Sequence, residues 1–180
     1  MVRAVYALLV GLVGAGIVHI AILFLLPSIS ERDAWSVLAS GADPYEVLQV
    51  ASEGPTAGVA RDLDPLFAAV ACRFDLADGP LHVTANGRVP FWSMSLYDNG
   101  GQNVFSLADR TAADGRLDVA IVDPLQMLEL RNAMPPGAER ALFVETGITE
   151  GIVLVRAFVP DPSWEPGVGA YLRGVDCRPF

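Results

Sequence analysis

Hydrophobic and polar residues alternate along residues 91–110, and this pattern predicts a β-hairpin at the centre of the chain. The apolar positions of its first strand are Trp92, Met94 and Leu96. Asn99-Gly100 is typical of a two-residue turn, in which both central residues need a positive φ. A turn there predicts that paired positions sum to 199, so that Met94 faces Phe105.

The same alternation predicts further strands on both sides of this hairpin. They cover residues 72–76, 81–85, 117–121, 141–145 and 152–159. The first two flank Asp78-Gly79-Pro80 and are expected to form a second hairpin. The run 152–159 is almost continuously apolar apart from Arg156, which indicates a central strand covered on both faces.

Asp-Pro pairs predict helix starts, because aspartate caps a helix and proline suits its first turn. With the apolar spacing, they predict helices at residues 31–39, 44–52, 65–70 and 124–133, and a short tail helix ending at Arg173. Gly54-Pro55 is expected to end the second of these helices. The pattern indicates an α+β fold, mainly β: a compact antiparallel, sandwich-like domain with short helices.

The N-terminus carries 23 residues without a formal charge, positions 4–26, which is long enough to cross a bilayer as a helix. Arg3 before this run places the N-terminus in the cytoplasm by the positive-inside rule. We therefore predict a membrane anchor at residues 1–29 and an exported β-rich domain at 30–180. The alternative is a signal peptide cleaved after Ser28-Ile29-Ser30; the length of the apolar run favours a retained anchor.

Small residues recur every four positions within this predicted span, and a histidine continues the stripe: Ala7, Gly11, Ala15 and His19. Such a stripe lets another helix approach closely, and a polar residue in a membrane usually faces protein. One interpretation is a helix–helix contact face. The other is that small residues are common in membrane helices and that His19 forms a local hydrogen bond.

The formal net charge of −9 argues against binding to nucleic acid or adsorption to anionic lipid surfaces. Both cysteines, Cys72 and Cys177, fall in the exported part, where disulfides form and persist. We predict that they are bridged, the alternative being two unpaired thiols. Without a Cys-x-x-Cys motif or a nearby histidine, a metal site at these residues is not expected.

Several strings resemble one family: ACRFDL at 71–76, FWS at 91–93, LYD at 96–98, FSLADR at 105–110 and GIVLVR at 151–156. The chain resembles the bacterial membrane protein family called domain of unknown function 1254, in its short, single-span form. The resemblance implies an inner-membrane protein with its domain in the periplasm, often encoded beside a second family of unknown function. It implies no reaction.

The exported part contains one histidine, His82, and no Gly-x-Ser-x-Gly nucleophile motif, phosphate-binding loop or dinucleotide fingerprint. We therefore expect no cofactor, no metal and no catalytic set. Arg110 and Arg156 need partners if they are buried. One interpretation is an ion pair with Asp75, Asp98 or Glu145, and the other is an anion-binding groove.

Two functions follow from these features. The first is a non-enzymatic domain that binds another membrane or envelope protein, such as the product of the neighbouring gene. The alternative is a small-molecule-binding or hydrolytic domain, with a groove near Tyr97, Arg110 and His82. Convergence of these three side chains on a deep pocket would favour the alternative, and their dispersal would favour the first.

Overall fold

A single helix, α1, runs from Val2 to Gly41 in the computed structural model of the chain. The structure describes residues 2–51, 53–54, 56–60 and 63–179, and only the backbone of residues 26–33. The first 24 residues of α1, Val2–Leu25, have a mean hydropathy of 2.6 and are long and apolar enough to cross a membrane. Pro55 and the side chains of Ser28 to Ser30 lie outside the described part.

Within the described residues, nine strands and three shorter α-helices follow α1. The strands are β1 (Leu48–Val50), β2 (Phe67–Asp75), β3 (Leu81–Ala85), β4 (Trp92–Asp98), β5 (Asn103–Ala108), β6 (Leu117–Val122), β7 (Leu142–Glu145), β8 (Glu150–Phe158) and β9 (Asp176–Pro179). The helices are α2 (Ala57–Ala60), α3 (Pro124–Asn132) and α4 (Glu165–Arg173).

The strands form two sheets that pack face to face, which confirms the predicted mainly β, sandwich-like α+β fold. The first sheet has the order β1-β2-β8-β4-β5, and the second has the order β7-β6-β3-β9. The shared core includes the inward side chains of both sheets, among them Phe74, Leu81, Met94, Ile121 and Val155. Strand β8 is central, as predicted. The expectation of purely antiparallel pairing fails at β6 and β7, which are parallel and joined through α3.

The predicted register of the central hairpin is wrong. Met94 pairs with Leu107, so positions in this part of the ladder sum to 201, and a bulge follows between Leu96 and Tyr97. The positive φ of 81° belongs to Gly101 instead of Gly100. The chain forms a three-residue loop because the Asp98 carboxylate accepts hydrogen bonds from the backbone N–H groups of Gly100 and Gln102.

The predicted second hairpin is also wrong, because β2 and β3 belong to different sheets. β2 pairs with β1 and β8, whereas β3 pairs with β6 and β9. The short 3-10 helix Leu76–Asp78 and the turn at Gly79, with φ 137°, carry the chain from one layer to the other. Alternating apolar residues identified both strands, but alternation does not say which strands pair.

Of the predicted helices, 124–133 is confirmed as α3, and the tail helix is confirmed as α4. At α3 the Asp123 carboxylate accepts from the N–H groups of Leu125 and Gln126, and the Gln126 side chain closes the capping box. The predicted helix 31–39 is the end of α1. The helices at 44–52 and 65–70 are wrong: Tyr45 takes a φ of 69° before β1, and Asp64 caps one turn before β2.

The predicted disulfide is confirmed between Cys72 and Cys177, whose Cα atoms lie 6.7 Å apart. The bond joins β2 of the first sheet to β9 of the second, across the core. The tail therefore closes the sandwich through β9, which pairs with β3 and was not predicted from the sequence. Both cysteines are buried.

Candidate functional site

A cavity of about 240 Å³ lies on the outer face of the first sheet, where the end of α1 and the short helix α2 cover part of that face. Most of its lining is apolar, and the exceptions are Tyr97 and Arg156. The lining residues are Ala34, Leu38, Val59, Leu63, Ala71, Tyr97, Gly101, Ile152, Leu154 and Arg156. This is the location in the described chain where apolar walls meet an arginine beside the helix that leads to the candidate span.

The floor of this cavity consists of side chains on the outer face of the first sheet, and the alternation along each strand determines which residues these are. On β8, Val153, Val155 and Ala157 point into the core, so that Ile152, Leu154 and Arg156 lie on the outer face. On β4 the register sets Tyr97 opposite Ile152 and Ser95 opposite Leu154. The outer face is thus apolar near β2 and polar near β5, and the cavity lies at the boundary.

Arg156 is half-buried at this boundary with few partners. Its Nη2 donates to the Ser95 hydroxyl at 3.4 Å, and its Nε is buried without a hydrogen-bond partner. The Ser95 hydroxyl also contacts the Ser106 hydroxyl at 3.2 Å. The Arg156 guanidinium therefore keeps most of its five donors free.

The ion pair expected for Arg156 is not formed. The Asp75 carboxylate caps the 3-10 helix through the N–H of Ala77, and the Asp98 carboxylate holds the hairpin loop. Glu145 is exposed on β7, in the other sheet. Across the described residues, the ion pairs are His82–Asp118 and Asp176–Arg178, and neither involves Arg156 or Arg110.

The end of α1 is fixed over the first sheet by specific contacts. Leu38 is 3% exposed and belongs to a second apolar cluster with Ala69, Ala71 and Ile152. The Arg73 guanidinium lies 5.3 Å from the Trp35 ring centroid and donates to the backbone oxygen of Ala42 at 2.9 Å. These contacts set the position of the roof of the cavity.

Tyr45 fixes the chain directly after α1. Its hydroxyl donates to the Asp75 backbone oxygen at 2.6 Å and lies 3.0 Å from a carboxylate oxygen of Asp78. Burial, together with the nearby Asp78 charge, raises the pKa of Tyr45 to about 12. The neutral phenol therefore persists as a hydrogen-bond donor at physiological pH.

The groove predicted near Tyr97, Arg110 and His82 is not formed. Tyr97 and Arg156 line one cavity, but Arg110 is exposed beyond β5, where its backbone N–H contacts the Asp109 carboxylate. His82 lies in the other sheet, with its Nε2 2.8 Å from an Asp118 oxygen. The three side chains therefore do not converge on one site.

The candidate contact stripe on α1 lies at exposed positions of the span. A Cβ placed on Gly11 would have no neighbour within 4 Å, and Ala7, Ala15 and His19 are exposed. Contact of this stripe with another helix stays a prediction. Within the residues that the structure describes, no group of three or more His, Cys, Asp or Glu side chains is placed to hold a metal ion.

Sequence reasoning missed the residues that complete the cavity, chiefly Leu38, Leu63, Ser95 and Leu154. The alternation on β4 and β8 marks Ser95 and Leu154 as outward-facing. Their proximity depends on the neighbouring position of β4 and β8 in the sheet, and the positions of Leu38 and Leu63 depend on the packing of α1 and α2. These are long-range properties that no local pattern carries.

Comparison with known proteins agrees with this description. Residues 67–179 match the family described as "Protein of unknown function (DUF1254)", and the chain belongs to that family. Its apolar N-terminal helix is consistent with the short, single-span form. None of the curated proteins matches the chain.

Two solved structures match the chain, and the first of them is similar in fold. The VPA0106 protein from Vibrio parahaemolyticus matches with a TM-score of 0.58 and 11% identity, over 84% of this chain and 35% of that one. An uncharacterised protein from Burkholderia cenocepacia matches with a TM-score of 0.42 and 16% identity, over 79% of this chain and 38% of that one. The chain thus spans little more than a third of the length of either structure.

Proposed function

We propose that this protein is a non-enzymatic, membrane-anchored domain on the periplasmic side of the bacterial inner membrane, where it binds a partner protein. The apolar segment Val2–Leu25 supports the anchor. The buried Cys72–Cys177 bond supports a compartment in which disulfides persist. His82 and Arg110 lie apart from the Arg156 cavity, which supports binding through a surface.

The observation that carries the proposal is the exposed apolar face of α3. Leu125 is 72% exposed and Leu128 is 56% exposed, and residues three apart lie on one face of a helix. Met134, just after the helix, is 46% exposed. Single exposed apolar residues are common, but neighbouring leucines on one short helix are typical of a contact surface.

The occupant that best fits this face is a separate protein domain. In the longer Vibrio protein the same fold is about a third of the chain, so there the fold occurs together with a larger remainder. We propose that a second chain supplies a comparable neighbour to this protein. Because the net charge is −9, the partner should present an apolar patch with a basic rim.

Crosslinked affinity purification of the full chain from intact membranes tests this proposal. The test variant is Leu125→Glu with Leu128→Glu, which places two charges on the α3 face. Leu66→Glu with Val104→Glu is a matched control, because it adds the same charge at apolar positions that are 49% and 42% exposed elsewhere.

The proposal predicts one stoichiometric protein that the wild type and the control capture and the α3 variant loses. Its purified form should bind the wild type less tightly as salt concentration rises. Equal capture by both double variants would contradict binding of the partner through the α3 face. The absence of any stoichiometric protein with the wild type would contradict partner binding itself.

A further inference from the structure

We propose that the cavity beneath the end of α1 binds one amphiphile that has an anionic head group and an alkyl chain. The head, a carboxylate or a phosphate, contacts Arg156, and the first carbons of the chain lie along the apolar wall. This inference shares the membrane anchor with the proposed function, but it is independent of the partner protein and of the α3 face.

The charge of Arg156 identifies the head group. Its Nε is buried without a partner, its side chain donates one hydrogen bond, to Ser95 at 3.4 Å, and no carboxylate of the described chain pairs with it. A guanidinium removed from water needs a counter-charge, and it binds carboxylates and phosphates through two parallel hydrogen bonds. The Nη1 group and the second N–H of Nη2 are the donors that remain for such a pair.

The apolar walls of the cavity indicate that the ligand has an alkyl chain. Leu38, Val59, Leu63, Ile152 and Leu154 line the cavity beside Arg156, so a small hydrophilic anion would leave these side chains uncovered. At about 240 Å³ the cavity lies just below the usual range for small-molecule sites, about 300–1,000 Å³. It therefore suits a head group and the first part of a chain, with the rest of the chain outside.

The position of the cavity identifies the source of the ligand. Helix α1 continues without a break from the apolar segment, which ends at Leu25, to Ala34, which lines the cavity. At 1.5 Å per residue these two positions are about 14 Å apart along the helix axis. A molecule that leaves an adjacent membrane leaflet would therefore have a short path to this cavity.

The net negative charge of the domain does not oppose this site. Exposed charges more than about 10 Å apart are largely screened at physiological salt. Among the described residues that line the cavity, Arg156 is the charged one, so its charge is the one that a bound head group meets there. A single amphiphile in the cavity therefore differs from adsorption of the whole domain to an anionic surface.

Native mass spectrometry of the full chain in a non-ionic detergent tests the inference. The probes are decanoate, decyl phosphate, decanol and acetate, and the measured quantity is the fraction of protein that carries one adduct. The variants are Arg156→Gln and Arg156→Met. Arg110→Gln is the matched control, since it removes the same charge from an exposed position in the same part of the chain.

We expect decanoate or decyl phosphate to give at least ten times more adduct than decanol or acetate. Arg156→Gln should reduce this adduct to the decanol level, and Arg110→Gln should leave it unchanged. A preference for decanoate indicates free fatty acids as the source, and a preference for decyl phosphate indicates phospholipid head groups. Equal adducts with decanol, or equal losses in Arg156→Gln and Arg110→Gln, would overturn the inference.

The melting temperature of Arg156→Met separates a ligand-binding arginine from a structural one. Because the guanidinium lacks a counter-charge in the free protein, the variant should melt at or above the wild-type temperature. A lower melting temperature would assign Arg156 a structural role and would overturn the inference. These outcomes leave the test of partner binding through α3 unaffected.

Discussion

Gly101 adopts a backbone conformation that other residues adopt only with strain, because its φ is 81° in the loop between β4 and β5. Gly101→Val should lower the free energy of unfolding by at least about 1–2 kcal/mol. Gly100→Val is the matched control, since Gly100 has no positive φ, and its effect should be clearly smaller. Thermal melts of both variants check this. A larger loss of stability in Gly100→Val would instead support a two-residue turn at Asn99-Gly100.

Tyr171 has a hydroxyl that is buried without a hydrogen-bond partner. Burial and the charge of Asp109 raise the pKa of this phenol well above its usual range. Tyr171→Phe removes the unsatisfied group and should stabilise the fold by about 1 kcal/mol, which raises the melting temperature by roughly 2–4 °C. A lower melting temperature would show that the hydroxyl makes a stabilising contact.

The stability of the fold at alkaline pH should depend on two tyrosines with raised pKa values, Tyr45 and Tyr171. A raised pKa in the folded state stabilises the fold below the unfolded value of about 10, and this contribution is lost as pH rises through the folded value. Stability should therefore fall above about pH 10. The fall should be smaller in Tyr45→Phe. A pH profile of that variant equal to that of the wild type would contradict the raised pKa of Tyr45.

Single residues were predictable where a local rule applies. The alternation assigned Met94 to the core and Tyr97 to the opposite face, and the expected export of the domain predicted the Cys72–Cys177 pair. The partner of Arg156 was not predictable. The candidate carboxylates at Asp75 and Asp98 are used locally, for a helix cap and a loop, and these uses are visible only in the fold.

At the scale of elements, strand alternation was informative and Asp-Pro pairs were not sufficient. From Ser93 to Leu96 the hairpin register moved by two positions, from sums of 199 to 201, and an even shift keeps these side chains and their partners on their predicted faces. Asp123-Pro124 began a helix because Gln126 completes a capping box. Asp64-Pro65 precedes β2 instead, because pairing with β8 overrides the local helix signal.

The disulfide connects two elements, β2 and β9, that lie in different sheets. In the chain-entropy model, a bond that spans 105 positions stabilises the fold by roughly 4–5 kcal/mol. Reduction should therefore lower the melting temperature strongly. Cys72→Ser should lower it as well and make it insensitive to reductant. Mass spectrometry with alkylation checks the bond directly, and two reactive thiols in unreduced exported protein would contradict it.

At the scale of the whole molecule, the candidate site depends on features that no local pattern encodes. The strand order places β8 between β2 and β4, and the packing of Leu38 brings α1 over that sheet. The sequence predicted the anchor and the domain separately. It did not predict that the helix that contains the candidate span also covers the domain and lines its cavity at Ala34.

Retention of the anchor is the first prediction for the whole chain. The apolar run is longer than the 7–15 residues usual in signal peptides, so the mature protein should keep its first residues. N-terminal sequencing of the protein from membranes measures this. A mature chain that begins at Glu31 would place the cleavage after Ser30 and would contradict a permanent anchor.

Export of the domain underlies the other proposals, since the oxidised state of the disulfide, the proposed partner surface and the proposed ligand site all depend on it. Paired reporters fused after Phe180 test it most directly: an enzyme that is active only after export, and a fluorescent protein that matures only in the cytoplasm. Arg3 before the apolar run predicts activity of the exported enzyme alone. Fluorescence together with an inactive enzyme would show that the C-terminus lies in the cytoplasm and would contradict export of the domain.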